Sequence, residues 1–159
     1  MIHLRMDRKA SDNVYLHKDF HNSLNLGIQY LSDNFGEEGV KDYLRFFARN
    51  YYSILKADLM QRGLIAIEEH YRKIYDLEGG DVTIERTEDP DELTITVRVC
   101  PAVEHIRKLG APLAPNYEWT TSVVHETICE DTPWRAEFSD WDPQTGASIQ
   151  RFVRREAKK

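Results

Sequence analysis

"DVTIERTEDPDELTITVRVC", residues 81–100, is where the chain changes period. Apolar and polar residues alternate on both sides of "EDPD", the signature of two strands joined by a tight turn. Leu93, Ile95, Val97 and Val99 share one face, and Thr94, Thr96 and Arg98 share the other. Upstream the spacing is helical. The switch therefore divides a helical first half from a sheet-bearing second half, which decides the fold.

Upstream, His17, His21, Leu24, Ile28, Leu31 and Phe35 follow at three- and four-residue steps and predict a helix with one inward stripe. "FGEEG" ends it, with Gly36 as the C-cap. A second helix, Glu37 to Gln61, carries Val40, Tyr43, Leu44, Phe47, Tyr51, Ile54 and Leu55. Gly63 breaks it. A third helix sets Leu64, Ile67, Tyr71, Ile74 and Tyr75 on one side and stops at "EGG". Short links predict antiparallel packing of all three.

Downstream of the hairpin, "CPAVEHIRKLG" reads as a short helix closed by Gly110, and "APLAP" as a loop. "NYEWTTSVVHETICEDTP" is a further helix. "WRAEFSDW" and "ASIQRFV" are strands joined by the turn "DPQTG". The order α-α-α-β-β-α-α-β-β predicts an α+β domain, N-terminal helices packed on a four-stranded antiparallel sheet of two hairpins. Residues 14–155 form this domain, between a tail at 1–13 and a basic tail at 156–159. A pocket between helices and sheet is the natural ligand site.

The chain has 159 residues and a net charge of −6, with 41% hydrophobic and 30% charged residues. That balance fits one ordinary globular domain and argues against a general nucleic-acid binder. No apolar run approaches the ~18–20 residues that cross a bilayer. The N-terminus lacks a secretory signal pattern. Two cysteines make no disulfide framework, so a reducing, cytoplasmic setting is expected.

In "YLHKDFHNSL", His17 and His21 stand one helical turn apart, a spacing that serves zinc, acid–base chemistry or plain helix-start hydrogen bonding. Asp19 points about 200° away around the helix and is a poor companion. Cys100 stands where a strand meets a helix, with Pro101 at the first helical position, so its thiol is either activated by the helix dipole or simply core. His125 and Cys129 repeat the four-residue spacing. With Cys100, His17 and His21 they would make a mixed nitrogen and sulfur zinc site, or else pack locally. Tyr51, beside Tyr52, is a candidate for a hydroxyl in a pocket. Trp119 and Trp134 are candidate pocket walls or dimer contacts, with core packing favoured for Trp134. His70 reads as a surface residue. Phosphate loops, nucleophile elbows, H-E-x-x-H and dinucleotide fingerprints are absent.

"DYLRFFARNYYSILKADLMQRGLIAIEEHYRKIYDLEGG" (42–80), "CPAVEHIRKLG" (100–110) and "ASIQRF" (147–152) together resemble the L-2-amino-thiazoline-4-carboxylic acid hydrolase family. The likeness runs from about residue 35 to 154. More distantly the arrangement is similar to the vinyl-4-reductase domain, a small-molecule-binding module that often dimerises and in some members holds zinc through cysteines. The resemblance implies hydrolysis of a thiazoline-type or cyclic-amide C–N bond in a small polar metabolite. Cys100 matches the family's strand-end cysteine. Further family cysteines are missing here, where the chain reads "APLAPNYEW" and "TGASIQRF" with Ala147 and Ser148. Any divalent metal, such as zinc, would thus need His17 and His21 with a third ligand.

On this reading His17 and His21 activate water, directly or through the metal. Cys100 is a ligand, nucleophile or pocket-lining thiol, and His125 a further acid–base group. Tyr51, His105 and Trp119 would contact the ligand. A homodimer is expected. The rivals are a non-catalytic ligand-binding or accessory subunit, and a plain interaction domain in which these residues only pack.

Overall fold

The computed structural model describes residues 18–89 and 91–156, and has the element order expected from the sequence. Three helices come first, α1 (Lys18–Tyr51), α2 (Ser53–Arg62) and α3 (Leu64–Glu78). The hairpin β1 (Asp81–Glu88) and β2 (Asp91–Val99) follows, then α4 (Pro101–Lys108) and α5 (Trp119–Ile128), then β3 (Trp134–Asp142) and β4 (Ala147–Arg154). The fold is α+β. Among the described residues no helix is long and apolar enough to cross a membrane.

The helix boundaries shift from those read in the sequence. Gly36, with φ 67° and ψ −169°, separates two helical segments within α1, at the position the sequence marks. A further break, not expected from the sequence, falls at Tyr52. There the Ser53 hydroxyl donates to the Asn50 carbonyl, a local bond that competes with the helical ladder. Gly63 and Gly79 then stop α2 and α3, each with its N–H bonded to the carbonyl four residues back.

All strand pairs are antiparallel, in the order β1-β2-β4-β3. The inward row of β2 is Leu93, Ile95 and Val97, opposite Phe152, Gln150 and Ser148 of β4. Ile28, Val40, Leu44, Leu59, Leu64 and Ile67 from the helices close on that face in one core cluster. The other face is polar, with Arg151 bonded to Glu92 and Glu137. Trp134 is core, as expected, and its indole N–H donates to Asp91.

Several residues of the predicted inward stripes are exposed instead. Phe35 lies beside the kink, and Tyr43, Tyr51 and Ile54 lie on an outer flank. Val40, Leu44 and Ala48 hold the buried face of the same segment.

The corner between β2 and α4 is held tightly. The Cys100 N–H donates to the Thr145 carbonyl at 2.9 Å. Gly146 lies against it at φ +70°, and a Cβ there would come within 2.4 Å of the Cys100 Cβ. Only glycine satisfies both the backbone angle and the close approach.

Candidate functional site

Where α1, the end of α3 and α4 meet, the His21 Nε2–H donates to Glu78 Oε2 at 2.9 Å, across 57 residues of chain. Both side chains are largely buried, at 14% and 9% exposure. Glu78 is the last residue of α3, where the helix dipole disfavours a negative charge. The imidazole offsets that cost and explains why a carboxylate persists there. The His105 ring from α4 stands edge-on to His21, with 6.5 Å between centroids.

Tyr75, Tyr117 and Cys100 feel the Glu78 charge, as does Tyr52. Burial, chiefly, pushes the Tyr75 and Tyr117 phenols far above their ordinary range, and Cys100 and Glu78 add to it. Both phenols stay protonated and can donate hydrogen bonds. Burial also raises the Cys100 thiol, against the downward pull of the Val103 and Ala102 N–H groups at the start of α4. Desolvation thus outweighs the helix terminus, and the thiol is not an activated thiolate.

Gln150 closes this group from the sheet. It is 4% exposed. Its amide donates to Ser148 at 3.2 Å, it hydrogen-bonds Tyr75, and its Oε1 has no partner among the described residues. A buried acceptor left unpaired costs about 1–3 kcal/mol, and a ligand N–H would relieve it. The assembly can therefore take up or release a proton at His21–Glu78, donate from two phenols and accept at Gln150.

The other candidates lie apart. His17 lies outside the described residues. His125, on α5, is packed against Tyr71 and Phe152 with ring centroids 5.0 and 4.9 Å away. Burial, then His70, lowers its pKa to about 3, so it is neutral. Cys129 is wholly buried and its thiol is pushed up to about 12. His125 and Cys129 are thus core groups on their own helix. His70 is partly buried rather than a surface residue, edge-on to Tyr52 and Tyr71. Tyr51 is exposed on the outer flank, and Trp119 lies under the Lys41 ammonium at 4.5 Å.

Among the described residues no three His, Cys, Asp or Glu side chains gather as a metal-ligand group. His21 and Glu78 bond each other, and His17, the other expected ligand, lies outside the described residues. Sequence reasoning passed over Glu78, Tyr75, Tyr117 and Gln150 as site residues. One signal was available: Ser148 and Gln150 alternate with Phe152 and so share the apolar face of β4. Polar residues in that row need buried partners. No family model matches the chain, and no curated protein matches it.

Proposed function

We propose that the protein is a hydrolase-like enzyme that holds a small polar metabolite between helices and sheet and opens a non-peptide C–N bond. The His21–Glu78 contact carries this reading, because a buried imidazole oriented by a carboxylate is the usual means of activating water. Glu78 fixes the ring, and the imidazole would act as the base. Tyr75 and Tyr117, kept protonated by burial, would donate to the oxygen that gains charge. Gln150 Oε1 would receive a substrate N–H. Cys100 lines the site and is not the nucleophile, since its thiol is held protonated. The resemblance to the thiazoline-carboxylate hydrolases supplies the bond type.

The test is a panel of thiazolines, cyclic amides and cyclic ureas, followed by product formation and by calorimetric binding. Glu78→Gln should lower turnover about 100-fold or more with binding retained. A Glu78→Gln enzyme at full rate removes the pair from the chemistry.

A binding or accessory module is the second reading, favoured by the burial of Cys100, which leaves the group without a reactive side-chain nucleophile. Tight binding of a panel member with no turnover selects it.

A further inference from the structure

Between α4 and α5 the chain runs from Ala111 to Asn116 without helix or strand. Left-handed residues bound the run, Gly110 at φ 71° and Asn116 at φ 57°. Pro112 and Pro115 stiffen what lies between. The run is a short strap with a turning point at each end. Its far end delivers Tyr117 into the cluster of Cys100, Val103 and Ile106, beside the Glu78 charge.

One side chain ties the strap to α1. The Asn25 amide N–H donates to the Pro112 carbonyl at 2.9 Å, and its oxygen accepts from the Ala114 N–H at 2.8 Å. Asn25 is buried, and it stands one helical turn after His21 on the same face of α1. Among the described residues, these are the only hydrogen bonds that join residues 111–116 to an element other than the flanking α4 and α5. The apolar anchors are slight, with Ala114 in the main core and Ala111 and Leu113 in the smaller cluster on α4. An amide that meets one backbone donor and one backbone acceptor is a two-point clasp, and its removal strands both groups.

We propose that Asn25 is a positioning residue that latches this strap beside the His21–Glu78 group, sets the Tyr117 phenol in place, and on release admits a small polar ligand. This rests on reading the Glu78 group as the ligand site. His21, Glu78 and Gln150 are nearly closed to solvent, so a ligand reaches them only when a neighbouring segment moves. The helices and the sheet around them are held by packed apolar rows, whereas the strap is held by two hydrogen bonds of one residue. It is the segment that opens most readily. Asn25 acts through the strap and takes no part in the chemistry.

The two thiols make the test. Cys100 packs against the Tyr117 cluster and reports opening of the strap, whereas Cys129, wholly buried at the end of α5, reports loosening of the core. The full chain is labelled with iodoacetamide and followed by peptide mass spectrometry. In Asn25→Ala, Cys100 should label about 10-fold or more faster than in the wild type, with the Cys129 rate and the circular-dichroism spectrum unchanged. Asn34→Ala, which removes an exposed amide of the same helix, should change neither thiol. An unchanged Cys100 rate overturns the proposal, and so does an equal rise at both thiols, the mark of a merely structural residue. If Asn25→Ala does not fold, hydrogen exchange of the wild type decides. The Ala114 amide should then exchange about 10-fold or more faster than the amides of β2, and exchange at their rate overturns the latch. None of these readouts uses turnover, so the latch can fail while the His21–Glu78 chemistry stands, and the reverse.

Discussion

His21 and His125 carry the same side chain and, in sequence, the same four-residue spacing to another candidate ligand. Their surroundings make them opposites. His21 meets a carboxylate from another helix and stands among protonated phenols and an unpaired amide oxygen. His125 packs against the rings of Tyr71 and Phe152, and burial, then His70, keeps it neutral. Spacing along a helix shows which residues share a face. What that face touches, three elements away, decides whether a histidine does chemistry or fills space.

The largest expected effect comes from emptying the aromatic side. Phe152 is fully buried at the centre of the sheet, and Phe152→Ala should cost about 3–5 kcal/mol in urea unfolding. Second is pH. The folded pKa of His125 lies near 3, below the ordinary value of 6.5, so protons bind the unfolded chain first. Its contribution is complete above about pH 6.5 and is lost as pH falls toward 3, at about 1.4 kcal/mol per unit. His125→Leu should flatten that slope in acid titrations followed by circular dichroism, and a slope that persists assigns the effect to other groups.

Gly146→Ala tests the corner beside the candidate site. The added Cβ meets the Cys100 Cβ at a positive φ, and a loss of about 2–3 kcal/mol in thermal or urea unfolding is expected. The smallest effect separates the two thiols. Both are raised by burial, but backbone N–H groups oppose this at Cys100, whereas Cys129 reaches about 12. Native protein treated with iodoacetamide should label slowly, with Cys100 ahead of Cys129 by peptide mass spectrometry. Equal labelling would erase the distinction.

The fold was legible because its signals are local. The alternation in 81–100, the glycines at 63 and 79, and the Pro101 start of α4 each act within a few residues. The site was only half legible. His21, Cys100 and His105 were singled out from spacing and position, and all three border the Glu78 group. Glu78 itself read as part of a helix stop, because nothing in 78–80 shows that α1 will pass beside it. Tyr51 and Ile54 matched an inward stripe but are exposed, because the buried face of that segment is the narrower row Val40, Leu44 and Ala48.

The sheet order has a consequence for how the molecule is made. β4, the latest of these four strands in the chain, occupies an interior position between β2 and β3. Until it arrives, β2 displays an unpaired edge and the apolar row Leu93, Ile95 and Val97 lacks its neighbour. The nascent chain therefore passes through a stage with a sticky open strand, and completion depends on pairing residues more than fifty positions apart, such as Glu92 with Val153. Synthesis interrupted shortly before residue 147 should yield a product that aggregates, because its sheet ends at an exposed edge.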